Sequence, residues 1–512
     1  MRHQPCYGLI LREALRSIEI TGFFRYYHYR MSDDSSYLKI VNSLKRRKKR
    51  ATVADVCADT ALPLSTVREL LPKAADEYSG HLQVTQSGEI LYNFSNGFTS
   101  RYRGLGVFIR KAARKITDTV KTAFVFLFKV WTMVMLIGYF LLFLAIALAS
   151  VFISVAAQSK SSNNSRRAFY GPNLFSLFWR IWFYSELTKP RYRYGNVTQK
   201  KEEKRAMHKS IFSFIFGEDD PNSGWEEKIN KAIITYIQSN KGTISLVEYM
   251  VFTGENSAEA EKSILSFCSR YGGSPEVTEE GYIVYRFDDL LLRADLKTFS
   301  ELTPPVMRLK TFSANSKNMN TWFVIINAVN LIFGSYFLYN AVVTGRLITE
   351  IQYQSASYLY AFTHYAFWLF TSDPASLIFI FLGIVPFIFS LFFWLIPSCR
   401  YFTEKKENNN IKLSNFKRIA FGKIWSSPEN IDINQLSTDI NECRPENIAE
   451  AGDRVIKELG AISDVEIEQT ENGKTVYSFK ELKDEKHSVE KYRSNIDPSS
   501  SQLGKTIFNS AD

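Results

Sequence analysis

The stretch His81–Phe94, HLQVTQSGEILYNF, decides the reading of this chain, because the chain writes it three times. Val84-Thr85-Gln86-Ser87-Gly88 is followed by Tyr92 and Phe94, four and six residues past the glycine. Val277-Thr278-Glu279-Glu280-Gly281 is followed by Tyr285 and Phe287 at the same offsets, and the pattern returns around Gly473 with Tyr477 and Phe479. The glycines stand 193 and 192 residues apart. Two short alternating strands around a glycine-containing turn predict a β-hairpin. Its recurrence at constant spacing predicts three copies of one folding unit.

What precedes each hairpin defines the unit. Before the first come Thr52–Thr60, the turn Ala61-Leu62-Pro63 and Leu64–Glu77. Val53, Val56 and Cys57 share one helical face, as do Val67, Leu70 and Leu71. Ser65 is a suitable cap for the second helix, and Tyr37, Leu38, Val41 and Leu44 predict another helix upstream. The second copy runs from Ile229, Ile233, Ile234 and Ile237 through Ile244, Val247, Ile264, Leu265 and Cys268. The third has Phe416, Ile419 and Ala420, then Ile433 and Leu436, then Ile448, Val455, Ile456 and Leu459, and departs most from the pattern. Helix, helix, turn, helix, hairpin resembles a winged helix-turn-helix domain. The aliphatic positions establish a core and carry no chemistry.

Between the copies lie uncharged runs: Val130–Gln158, Thr321–Gly345 and Pro374–Ser398. Each exceeds the roughly 20 residues a helix needs to cross a bilayer, and the first lies too far into the chain for a cleavable signal peptide. The expected fold is therefore three α+β winged-helix domains combined with an α-helical transmembrane region. Residues 1–35 read as an N-terminal extension, with Met31 as an alternative start. Residues 36–97, 211–292 and 413–482 read as the winged units, and 122–158, 319–345 and 374–398 as the membrane stretches. Residues 98–121, 293–318 and 399–412 read as linkers, 159–210 as a basic and aromatic interfacial segment, 346–373 as an aromatic outer segment, and 483–512 as a disordered tail. The 122–158 stretch is long enough for one span or for a hairpin turning near Gly138, and its basic flanks favour a hairpin with both ends on one side. The Lys and Arg bias of the other flanks puts the winged units in the cytoplasm of an inner-membrane, multi-pass protein.

Charge separates the function classes. Ala51–Phe94 holds two basic against six acidic residues, Glu226–Asp289 six against eleven, and Glu429–Glu481 five against thirteen. These units sum to −17 in a chain of +11, so everything outside them carries +28. DNA affinity depends on neutralising phosphates with Lys and Arg. Arg68 and Lys73 on one candidate recognition helix, and Lys262 and Arg270 on the other, stand among Glu69, Asp76, Glu77, Glu259 and Glu261. DNA is the weaker expectation, and protein interaction the stronger.

The cations concentrate instead at Lys45, Arg46, Arg47, Lys48, Lys49 and Arg50, and at Arg110, Lys111, Arg114 and Lys115. Both sets are candidates for anionic-lipid or nucleic-acid contact, at about 1 kcal/mol per cation near an anionic leaflet. Trp179, Arg180, Trp182 and Tyr184 have the amphipathic chemistry of an interfacial anchor.

No catalytic, cofactor or metal site is expected. P-loop, HExxH, GxSxG and Rossmann glycine patterns are absent. Gly217-Glu218-Asp219-Asp220-Pro221-Asn222 lacks the alternating ligands of an EF-hand and reads as a turn and cap for a helix at Trp225. The six histidines are isolated, and Cys6, Cys57, Cys268, Cys399 and Cys443 are scattered singly, as reduced thiols are. Asn327 and Asn330 are the polar residues of the second span, suited to helix–helix hydrogen bonds.

The order of winged unit, apolar stretch, IFSFIFGEDDPN at Ile211–Asn222, and a second unit bearing SPEVTEEGYIVYRF resembles an uncharacterised family of bacterial and plastid multi-pass membrane proteins. The resemblance implies this architecture and no activity. The expected function is a membrane protein presenting acidic docking or self-assembly modules to cytosolic or membrane proteins, or to copies of itself. The alternatives are a membrane-tethered transcription regulator and a transporter or channel component.

Overall fold

Thr52 stands between a strand and a helix, and it explains how the first unit starts. Its backbone is extended, its hydroxyl accepts from the Asp55 amide at 3.2 Å, and Asp55 Oδ2 accepts from the Thr52 amide at 3.0 Å. This reciprocal capping box satisfies two of the donors that every helix start leaves free. In the computed structural model, residues 35–47, 50–94, 98, 105–159, 205–294, 302–343, 358–432, 444–469, 475–497 and 503–510 are described. They fall into two units, one of Met1–Lys111, Asp220–Leu309 and Glu407–Asp512, the other of Ala112–Asp219 and Lys310–Lys406.

In the first unit the order is helix α1 (35–47), strand β1 (Arg50–Ala51), α2 (Val53–Thr60), α3 (Leu64–Glu77), β2 (His81–Thr85) and β3 (Ile90–Asn93). Val84 pairs with Ile90 and Leu82 with Tyr92, while Gly88 turns the hairpin at φ 80°, a conformation glycine adopts without strain. β1 pairs on the far side of β3, Ala51 opposite Tyr92. The cap expected at Ser65 is not formed: Pro63 precedes α3 without a side-chain hydrogen bond, and Ser65 lies inside the first turn.

The same order returns. Its elements, after the α4–α6 segment described below, are α7 (Trp225–Ser239), β4 (Thr243–Ser245), α8 (Leu246–Thr253), α9 (Ser257–Tyr271), β5 (Ser274–Val277) and β6 (Ile283–Arg286), with sheet order β4-β6-β5. Gly281 turns this hairpin at φ 95°. Ser245 and Glu248 form a second capping box, 193 residues after Thr52 and Asp55. Ahead of α7, the acidic stretch is a turn, with the Asn222 amide donating to Asp220 Oδ1 at 2.9 Å. The residue at the helix start is Gly224 and supplies no side-chain cap.

The third segment comprises the end of α13 (Val385–Ser426), α14 (Ile448–Leu459), the hairpin β7 (Glu466–Gln469) and β8 (Thr475–Ser478), and α15 (Lys480–Asn495). Ile431 bridges to Tyr477 as β1 and β4 bridge to their hairpins. Ile433, Leu436 and Gly473 lie outside the described residues.

Val56, Cys57, Leu71, Ile233, Ile237, Ile264, Phe416, Ala420, Val455 and Leu459 all belong to one buried apolar cluster running through the three segments. Leu265, grouped with this core by its spacing, instead points to solvent. The tail expected to be disordered from 483 is largely ordered: α15 buries Leu482 and Val489, and β9 (Thr506–Asn509) pairs antiparallel with β2.

In the second unit, α4 (Leu105–Met133), a π-helical segment (Val134–Gly138) and α5 (Tyr139–Ser159) form one continuous helix. The turn considered near Gly138 is not made, because Met133 and Tyr139 both keep right-handed helical dihedrals on either side of the widened segment. Next come α6 (Met207–Phe216), α10 (Lys317–Val343), α11 (Tyr358–Trp368), and α12 (Pro374–Leu377), which runs through the π-helical Ile378–Ile384 into α13. Thr119–Ile153, Lys317–Val343 and Pro374–Ser426 are long and apolar enough to cross a membrane. Asn327 donates to the Ser390 carbonyl at 3.1 Å and Asn330 to the Leu136 carbonyl at 2.8 Å, tying these helices as expected. A Cβ on Gly383 would stand 3.1 Å from the Leu338 Cα, so glycine permits the close approach to α10. Arg400 closes the C-terminal end of α6, donating to the carbonyls of Ser213 and Phe214, where a cation also complements the helix dipole.

Candidate functional site: the junctions between the segments

Each capping-box carboxylate does a second job. Asp55 Oδ2, already bound to the Thr52 amide, also accepts from the Ala294 amide at 2.9 Å, where the second segment ends. Nearby, Gln238 Nε2 donates to the Leu290 carbonyl at 3.0 Å and to the Ala54 carbonyl at 3.4 Å. The Tyr271 hydroxyl, at the end of α9, donates to the Ala61 carbonyl at 2.8 Å. The second segment thus binds the backbone and cap of α2.

Glu248 serves the next junction in the same way. It is 1% exposed and accepts both terminal guanidinium nitrogens of Arg493, at 2.9 Å on Oε1 and 2.6 Å on Oε2. Oε1 also accepts the Tyr236 hydroxyl at 2.6 Å. Arg493 Nε donates to Thr243 Oγ1 at 2.9 Å, so the fork is held on three sides. Lys241 Nζ donates to the Arg493 and Ile496 carbonyls at 2.8 and 3.2 Å, capping the end of α15. Removing one partner of such a buried pair leaves an uncompensated charge, at a cost of about 3–5 kcal/mol.

The second hairpin completes this junction. Ser488 Oγ donates to Glu280 at 2.7 Å, Lys491 pairs with Glu280 at 2.7 Å and Glu279 at 2.9 Å, and the Tyr492 hydroxyl donates to Glu276. A cleft of about 350 Å³ remains between hairpin and helix, lined by Thr278, Glu280, Arg286, Lys491 and Asn495 among others. Glu485, on the same face of α15, is pushed up to about 7 by burial and then by the Glu248 charge, against a Ser245 hydrogen bond.

The two candidate recognition helices are turned towards one another. Beyond the Tyr271–Ala61 bond, Leu64 of α3 lies against Gly272 at the end of α9, and Arg68 pairs with Asp289 at 3.1 Å. Of the candidate basic contacts, Arg47 is withdrawn by the fold: it pairs with Asp55 at 3.1 Å and Asp59 at 2.6 Å and has a largely buried side chain. Lys45 lies 5.7 Å over the Tyr78 ring, while Arg46 and Arg50 are exposed. Lys48 and Lys49 lie outside the described residues, as do Trp179, Arg180, Trp182 and Tyr184. Arg110, Lys111, Arg114 and Lys115 fall within α4, with their side chains outside the described set. Cys57 and Cys268 are buried, and burial pushes their thiols up to about 12 and about 11. No group of three potential metal ligands occurs among the described residues.

The junction residues had one legible signal. Thr52-x-x-Asp55 and Ser245-x-x-Glu248 both match the capping-box pattern at the repeat spacing. Arg493 had none, lying 245 residues from its partner.

An uncharacterised chloroplastic protein of Arabidopsis thaliana is 25% identical over 405 residues, spanning 74% of this chain and 71% of its own. No family model matches the chain, and no solved structure matches it.

Proposed function

We propose that this is an integral membrane protein whose three acidic winged-helix modules act as protein-docking and self-assembly units of a membrane-associated complex. The order helix, strand, helix, helix, hairpin, twice in full and once incompletely, supports the winged-helix assignment. The observation that carries the function is how those elements are used. A DNA-binding winged helix offers its third helix and its wing to the duplex. Here α3 and α9 lie against each other, the second hairpin holds α15, and the first hairpin holds β9. On α9 the exposed Glu259 and Glu261 offset the exposed Lys262 and Arg270, so this face carries no excess of cations for a phosphate backbone. Three apolar helices agree with a membrane setting.

The test is in-cell crosslinking of tagged full-length protein, with parallel recovery of DNA and protein. Defined proteins, or further copies of the chain, are expected without DNA, and reversing Glu259 and Glu261 to lysine should reduce their recovery at least severalfold. Enrichment of particular DNA sites would overturn the docking reading in favour of a tethered regulator.

A further inference from the structure

The second unit contains a groove of about 570 Å³ between α4, α6 and α13, within the range of roughly 300–1,000 Å³ typical of ligand sites. Phe128, Trp131, Met135, Phe216, Ile388 and Phe392 line it. Trp131, Phe216, Ile388 and Phe392 are themselves exposed, so the groove opens sideways. Its one hydroxyl, Thr132, is occupied in donating to the Lys129 carbonyl at 2.8 Å. Such a wall offers nothing to a polar solute. Two of its walls, α4 and α13, belong to helices long and apolar enough to cross a bilayer, and in a bilayer the medium outside the opening would be hydrocarbon.

One end of the groove is charged. Lys129 stands one helical turn before Thr132, and its ammonium lies 4.5 Å from the Phe212 ring. No carboxylate among the described residues pairs with it, nor with Lys121 or Lys209. Helical side chains lean towards the N-terminus of their helix, which carries Lys129 away from the apolar run and towards the turn of Lys121. His208 packs edge-on against Phe126 at this same end, with exposed Lys209 beside it. An apolar slot thus runs away from cations that no carboxylate among the described residues pairs with.

We propose that this groove holds an acyl chain of an anionic phospholipid whose phosphate pairs with Lys129. The apolar wall selects a molecule with a chain, which a free phosphate lacks. The unpaired cations select a net negative headgroup over a zwitterionic one, whose own ammonium or choline they repel. The proposal is independent of the docking role proposed above.

Trp131 is a built-in reporter. Full-length protein is reconstituted in nanodiscs whose phosphatidylcholine is replaced stepwise by acyl-brominated phosphatidylglycerol or by acyl-brominated phosphatidylcholine. The Trp131 signal is the difference between the wild type and Trp131→Phe. Half-maximal quenching is expected at a phosphatidylglycerol fraction roughly fivefold below that for phosphatidylcholine, the size of one cation–headgroup contact. Lys129→Gln should remove that preference while leaving quenching by the chain itself, and Lys129→Arg should retain it. Equal quenching by the two lipids in the wild type, absence of quenching by either, or a preference that survives Lys129→Gln would each overturn the proposal. Should Lys129→Gln fail to fold, the wild-type comparison still decides it.

Discussion

At the residue scale, the Arg493–Glu248 pair is the contact on which the position of α15 depends. The two side chains are 14% and 1% exposed, so water cannot compensate either one left alone. Arg493→Ala should destabilise α15 against the second segment by about 3–5 kcal/mol, read as faster hydrogen exchange in α15 of the full-length protein. Arg493→Lys should recover only a fraction of this, because an ammonium cannot span both carboxylate oxygens as the guanidinium fork does. If the interpretation holds, Glu248→Gln combined with Arg493→Met should cost less than Arg493→Ala alone, since no unpaired charge remains. Glu485 adds a pH dependence at the same place. Its carboxyl is raised from 4.5 to about 7, so between these values the folded chain keeps a proton that the unfolded chain has released. Its stabilising contribution is complete below pH 4.5 and is lost as pH rises through 7. After correction for intrinsic exchange, α15 should open more readily at about pH 8 than at about pH 6, and Glu485→Gln should abolish the difference. An unchanged pH response in that variant would assign the effect to another group.

At the scale of elements, β9 is held differently from its neighbours. It pairs with β2 through backbone groups, the Gln86 amide donating to the Lys505 carbonyl at 3.0 Å and the Ser510 amide to the Leu82 carbonyl at 2.9 Å. Ile507 and Phe508 remain 69% and 59% exposed, so little apolar area is buried. Deleting residues 503–512 should therefore raise exchange at the Gln86 and Ser87 amides at least tenfold while the Leu71 and Val56 core keeps its protection. Loss of protection throughout the first segment would show that β9 is structural. The same contrast explains what the sequence could and could not disclose. Tyr92 and Phe94 announced the first hairpin because both are buried in the apolar core, and Val56, Leu71 and Ile237 announced helices for the same reason. A strand paired by its backbone, with exposed side chains, leaves no such periodicity, so the segment around Ile507 read as disorder. The junctions were hidden for another reason. Asp55 and Glu248 look like ordinary acidic residues until the fold brings Ala294 and Arg493 to them.

At the scale of the whole molecule, the shared core constrains how the chain can thread a membrane. The first and second segments bury Val56, Leu71, Ile237 and Ile264 in one cluster and are joined by the Tyr271–Ala61 bond. In a bilayer, two segments that share one core would lie on one side, which calls for an even number of crossings between Asn93 and Trp225. The same parity would hold between the second and third segments, where α10 and the apolar half of α13 are both long and apolar enough to supply a crossing each. Because the helix through Thr119–Ile153 is unbroken at Gly138, a turn there cannot supply the parity that the basic flanks suggested. Sidedness can be read with an impermeant maleimide on sealed vesicles. Cys57 and Cys268 can stay in place, since burial and thiols raised to about 12 and about 11 leave them unreactive near neutral pH; Cys6, Cys399 and Cys443 are changed to serine. Lys73→Cys and Glu261→Cys, on the exposed faces of α3 and α9, should then label together or be protected together in vesicles of either orientation. Labelling of one with protection of the other would put the two segments on opposite sides and separate them, and the junction at Asp55 could not exist in the membrane-embedded protein.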